Sequence, residues 1–177
     1  DALAANGDAE KAAALLAPLA EDAKKANTMR RALTLLEKLE AAPIWNEAKL
    51  LARAERLIDK KAYEDAEEIL AKLLASKNAA VAEEARWLEA VQLYERRRHY
   101  DEAALALRKI AEKKGKHSDE ARWLEASALA RSDREADAIA AYLKLARGKK
   151  PLGRAAEALF YASRLAFYIG RNKEALS

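Results

Sequence analysis

The side chains that could do chemistry gather in a few places, and the basic ones are the most conspicuous. Lys60, Lys61, Arg96, Arg97, Arg98, Arg131, Arg134 and Arg171 return at similar intervals along the chain. In a repeating structure they would share one edge, where a polyanion such as nucleic acid or an anionic wall polymer could lie. The simpler reading is a solvated edge, because helix C-termini attract cations. Specific reading of bases gains no support, since no known base-reading module is present. His99 and His117 sit beside basic residues in a turn and a linker, where a solvated imidazole is the ordinary outcome. The paired carboxylates Glu67/Glu68 and Glu83/Glu84 are sequence neighbours. On a helix such neighbours diverge, so they cannot flank one bond. Gly148 to Gly153 carries Lys149 and Lys150 but lacks the spacing of a phosphate-binding loop. With no cysteine in the chain there is no thiolate nucleophile, disulfide or cysteine-ligated metal. No cofactor, metal or catalytic residue is therefore expected, and these residues are read as non-enzymatic.

What must position any functional surface is a repeat. The hexapeptide ARWLEA occupies Ala85 to Ala90 and returns at Ala121 to Ala126, 36 residues later, with Trp87 answered by Trp123. Such a period marks stacked helical pairs, none able to bury its apolar face alone. Both tryptophans are read as core in the slot between neighbouring pairs, not as a sugar platform. Composition agrees: alanine is the commonest residue, 35% of residues are charged, and only 5 Gly and 3 Pro interrupt. That favours helix throughout. The net charge of +4 comes from 33 basic and 29 acidic groups, a near balance that argues against a nucleic-acid partner. No apolar run is long enough for a transmembrane helix. The lack of cysteine suits bacterial periplasm and cytoplasm alike, and leaves the compartment open.

Residues 1–46 read as an irregular N-terminal cap or partial repeat. Asn6-Gly7 is a turn, Asp8 a candidate cap, and a helix follows with Ala12, Leu15, Leu16 and Leu19 at helical spacing, kinked or ended by Pro18. A second helix is expected from about Thr28, with Met29, Leu33, Leu36 and Leu39 along one stripe, stopping before Pro43. Regular repeats are expected at about 47–83, 84–119 and 120–156, with a partial one at 157–177. Large, small and large residues alternate in the first helices: Leu50, Ala54, Leu57; Trp87, Ala90, Tyr94; Trp123, Ser127, Ala130; Phe160, Ser163, Phe167. The large ones are expected to fill the gaps between pairs. Second helices carry Tyr63, Ala66, Leu70; Tyr100, Ala103, Leu107; and Ala138, Tyr142, Leu145. Acidic residues at expected helix starts (Glu83, Glu84; Asp101, Glu102; Asp119, Glu120) and basic residues at expected ends complement the helix dipole. Ser132 and Glu135 have the spacing of a capping box. Gly170 should stop the last first-helix, and Asn172 to Ser177 reads as one turn of a partner helix. The chain is thus expected to open inside a repeat and to continue beyond Ser177.

Trp87, Tyr94, Tyr100, Ala103 and Leu107 resemble the tetratricopeptide repeat pattern, and the resemblance extends over about Glu47 to Ser177. Ala54, Val91, Ser127 and Arg164 stand where that family carries glycine, and its closing proline is missing except for Pro151. The resemblance implies an all-α, right-handed superhelical solenoid of about ten helices, paired antiparallel. It also implies a non-catalytic scaffold that binds a protein or peptide segment, or another domain of the same parent chain, in a concave groove. The expected groove residues are Leu51, Glu55, Ile58, Leu88, Gln92, Glu95, Leu124, Ala128, Arg131, Tyr161, Leu165 and Tyr168, although the same apolar side chains could pack inside a superhelix. The Lys and Asn pattern with which some members of that family hold a terminal carboxylate is not found. The stretch ALFYASRLAFYIGRNKEAL near the end is also similar to the helical-repeat region of periplasmic soluble lytic transglycosylases, which cleave peptidoglycan. That similarity implies a catalytic domain beyond Ser177, and a positioning role for the residues present. Oligomeric state is not legible.

Overall fold

In a computed structural model that describes residues 9–39, 45–96, 98–147 and 153–170, the chain is all-α, with no strand among those residues. Nine helices are described: α1 (Ala9–Asp22), α2 (Ala26–Lys38), α3 (Glu47–Asp59), α4 (Tyr63–Leu74), α5 (Ala79–Glu95), α6 (Tyr100–Glu112), α7 (Ser118–Arg131), α8 (Glu135–Arg147) and α9 (Ala155–Tyr168). Contacts divide the chain into two compact units, Asp1–Leu88 and Glu89–Ser177, with the division falling inside α5. None of the described helices is long and apolar enough to cross a membrane.

The repeat is carried by burial as well as by spelling. Ala54, Ala90, Ala126 and Ala162 lie 36 residues apart on α3, α5, α7 and α9, and all four are buried. Leu57, Leu93, Leu129 and Leu165 keep the same interval one turn later. Alanine at this slot lets helix backbones approach closely, and leucine fills the space beside it. The second helices hold a parallel series, Ala66, Ala103 and Ala138, all buried, with Leu70, Leu107 and Tyr142 one turn on.

In the first unit α1 packs on α2, and α3 on α4. Ala20, Ala32 and Leu36 form a small core, flanked by Leu16, Leu33 and Trp45. Met29, Leu36 and the half-buried Leu33 and Leu39 follow the expected stripe of α2. Pro18, expected to kink or end α1, stands inside the helix, which runs on to Asp22. Its missing N–H affects the Ala14 carbonyl, and both residues are exposed, so water can satisfy that group. Leu15 and Leu19 of the same helix face outward, while Ala12, Leu16 and Ala20 turn inward. Polar links tie α1 and α2 to α3 and α4. Arg30 forks onto both Asp65 oxygens at 2.9 and 2.7 Å, and Lys49 reaches Glu21 at 3.0 Å.

In the second unit α6 packs on α7, α7 on α8 and α8 on α9. Its core joins Ala126, Ile139, Tyr142, Leu145, Ala158, Ala162 and Ala166, with Trp123, Tyr161 and Leu165 packed against it. Phe160 and Phe167 do not fill this core; they are 61% and 67% exposed. In the 36-residue register the Trp123 slot falls on Leu159 and the Ala130 slot on Ala166. Counting one residue too far turns a side chain ~100° around a helix, from the packed side to the outer one.

The turns explain how leucine-rich helices stop without glycine. Lys61 and Asp133 adopt left-handed backbone (φ 58° and 56°) just past α3 and α7. The next N–H then returns to the helix: Ala62 donates to Leu57 at 2.9 Å and Arg134 to Leu129 at 3.1 Å. Arg98 and Lys114 hold the same conformation after α5 and α6, and Gly170 (φ 74°) ends α9 as expected. Ser132 forms no capping box. Its hydroxyl donates to the Leu129 carbonyl at 3.2 Å, because the residue belongs to the end of α7 rather than the start of α8. Glu83 and Glu84 lie a turn inside α5, which begins at Ala79 and is capped by Asn78 Oδ1, accepting from the Ala80 N–H at 3.1 Å. Asn46 caps α3 in the same way, accepting from Lys49 at 2.9 Å.

Candidate functional site

The densest arrangement of polar and aromatic groups lies in the second unit. Tyr94, near the end of α5, and Ser127, in the middle of α7, join hydroxyls at 2.8 Å. Ser127 also lies beside the phenol of Tyr142 of α8, which burial pushes above the ordinary tyrosine value while Ser127 opposes the shift. α5 and α7 are thus joined on one serine, at a slot that the other first helices fill with Glu55, Val91 and Ser163. Over this cluster lies Arg131, at the last turn of α7. Its guanidinium carbon is 4.7 Å from the Tyr94 ring centre and 5.6 Å from that of Tyr100. Those two rings meet edge to face at 6.1 Å. Arg131 has no ion-pair partner among the described residues and remains exposed, so the rings hold it by their electron-rich faces with its donors open to solvent.

The expected groove residues fall into distinct classes. In the second unit Gln92 is buried, Leu124 is half-buried, and Glu95 and Arg131 are exposed. Ala128 is buried. Tyr161 stacks on Tyr142 at 5.5 Å and meets Trp123 edge to face at 5.9 Å, and Leu165 packs on the same core. Tyr168 is exposed, with Arg164 over its ring at 5.8 Å. In the first unit Leu51 is half-buried, Glu55 exposed, and Ile58 and Leu88 buried. A ligand could therefore touch Glu95, Arg131, Tyr168 and parts of Leu124 and Tyr161, but not Gln92 or Leu88.

The basic edge is partly neutralised. Lys60 pairs with Asp22 at 3.6 Å, and Arg134 bonds Asp137 at 2.9 and 2.5 Å. Lys61 and Arg98 are exposed at their turns, and Arg96 is half-buried. Arg97 and Arg171 lie outside the described residues. His99 bonds the Glu102 carboxylate three residues on, at the start of α6. Among the described residues no His, Asp and Glu group is arranged to hold a metal.

Sequence reasoning missed Arg53. It is buried in the first unit, its guanidinium 4.5 Å over Trp45 and donating to the Ala20 carbonyl near the end of α1. Burial pulls its pKa down, and Asp65 opposes that pull. A basic residue at this slot, where α5 and α7 carry Glu89 and Glu125, was the available signal. Compared with known proteins, the chain matches no family model, no curated protein and no solved structure.

Proposed function

We propose that this chain is a non-catalytic helical-repeat scaffold of the tetratricopeptide kind, right-handed in its superhelix, that binds a segment of another protein. The second unit supplies the surface, on the exposed sides of α5, α7 and α9. The observation that carries this reading is Arg131: a cation stacked on Tyr94 and Tyr100, with no carboxylate partner among the described residues. An arginine immobilised by two rings loses little entropy when it meets an acidic or carbonyl group of a ligand. Aromatic and arginine side chains are also the types that dominate binding energy at interfaces. Leu124 and Tyr161 offer partly open apolar surface on α7 and α9, and Glu95 adds a charge of opposite sign.

The test is a peptide-display selection on the full chain, followed by titration of enriched peptides against the wild type and Arg131→Ala. Enriched peptides should lose about tenfold in affinity with Arg131→Ala, as for an interface arginine costing over ~1 kcal/mol. A selection that enriches nothing, or peptides indifferent to Arg131, would refute the reading.

A further inference from the structure

We propose that the bound segment is extended, in polyproline II conformation, and crosses α5, α7 and α9 with a basic, an acidic and an apolar side chain placed in that order, three residues apart. This rests on the reading above and names its ligand. The three first helices of the second unit lie side by side: Tyr94 of α5 bonds Ser127 of α7 at 2.8 Å, and Trp123 of α7 meets Tyr161 of α9 at 5.9 Å. Ala90, Ala126 and Ala162, all buried, put them in one register. Five residues on, that register brings Glu95, Arg131 and Phe167 to the last turns.

Among the described residues, this is the one slot shared by these helices that is exposed on all three; every other is buried or half-buried on at least one of them. It is therefore the one open line along which a single segment can touch α5, α7 and α9 in turn. A row that met only water would be polar at every step. This one ends on a ring 67% exposed, with Tyr168 edge to face beside it at 6.5 Å, an apolar spot rimmed by charge.

Charge sets the order in the ligand. Neither Glu95 nor Arg131 has an ion-pair partner among the described residues, and they do not pair with each other; the guanidinium lies over Tyr94 and Tyr100 instead. Each is thus open to a group of opposite sign, and Phe167 to an apolar one. Spacing sets the conformation. Helices in contact stand about 8–10 Å apart. Three residues of polyproline II rise ~9 Å and return to the same side, whereas in a β-strand the side chain three residues on points the opposite way. Side chains alone carry this match, so the segment can run in either direction.

The test selects a display library of the form X-Pro-Pro-X-Pro-Pro-X, with any residue at X, against the full chain. The wild type should enrich Lys or Arg, then Asp or Glu, then Leu, Ile, Phe or Met, in either direction. The double variant Glu95→Arg/Arg131→Glu should enrich the same frame with the two charges exchanged. By fluorescence anisotropy an enriched peptide should bind the wild type about tenfold more tightly than its charge-exchanged form, and Phe167→Ser should weaken it about fivefold while helical circular dichroism is unchanged. Enrichment without charge order, a double variant that keeps the wild-type preference, or indifference to Phe167→Ser overturns the proposal. So does an empty selection from this library beside Arg131-dependent peptides from an unconstrained one, and in that case the scaffold reading stands. If neither library yields an Arg131-dependent peptide, both fall.

Discussion

Trp123→Ala and Phe160→Ala should separate sharply in cost, although simple counting gives the two residues one role. Trp123 is mostly buried, meeting Tyr142 at 5.5 Å and Tyr161 at 5.9 Å, both edge to face, with Arg154 5.2 Å over its ring. Removing its indole withdraws roughly 120 Å² of packed surface, or ~3 kcal/mol at 25 cal/mol per Å². Two lost aromatic contacts add ~0.5–1.5 kcal/mol each, so a loss of at least about 4 kcal/mol is expected. Phe160 meets Tyr161 at 5.6 Å but is 61% exposed. Its loss should cost under about 1 kcal/mol, because alanine returns some helix propensity. Urea unfolding read by circular dichroism measures both. With a urea slope of ~2 kcal/mol per M, the Trp123 variant should shift its midpoint by about 2 M and the Phe160 variant by less than ~0.5 M. Hydrogen exchange adds the location: amides of α7 to α9 that exchange by unfolding of this unit should speed up ~100-fold or more in Trp123→Ala. Equal shifts, or a larger one for Phe160, would refute the 36-residue register and the packing built on it.

Lys61→Gly and Asp133→Gly relieve left-handed backbone that a side chain disfavours, and each should raise stability by ~0.5–1 kcal/mol, seen as a melting point up by a few degrees; a fall in both would contradict the turn geometry. Tyr142→Phe should cost under about 1 kcal/mol near neutral pH, since the ring stays in place. Because folding raises the Tyr142 pKa, its stabilisation is complete below the unfolded value near 10 and fades as pH climbs through the folded one, so the variant should decline less steeply above pH ~10. Parallel pH profiles for variant and wild type would sink that assignment.

The helices were legible because this sequence spells them with alanine, leucine and charge and breaks them rarely. The ARWLEA repeat located α5 and α7, and Gly170 the end of α9. Exceptions arose where local chemistry admits two answers. Ser132 has both the spacing of an N-cap and the reach of a C-terminal hydroxyl, and its backbone position at the end of α7 chose the second. Pro18 breaks a helix only if the orphaned carbonyl lacks water, which depends on exposure that spacing does not reveal. Arg53 was invisible because a buried guanidinium needs two partners remote in sequence, Trp45 on one side and the Ala20 carbonyl on the other.

In a repeat chain, the slots that recur report packing, and those that depart report use. Ala54, Ala90, Ala126 and Ala162 are interchangeable because each meets the same close helix approach. Slot 131 differs: Asp59 and Glu95 become Arg131 on α7, whose guanidinium lies over Tyr94 and Tyr100, and then Phe167 on α9, which meets water. One position along the repeat therefore runs from acid to base to aromatic while the alanine behind it stays fixed. Core constraints cannot demand that change, since the outward side of the helix makes no core contact. Selection on what touches that side can, and this makes Arg131, rather than the better-repeated Trp87 and Trp123, the residue whose substitution should alter peptide binding while leaving the helices intact.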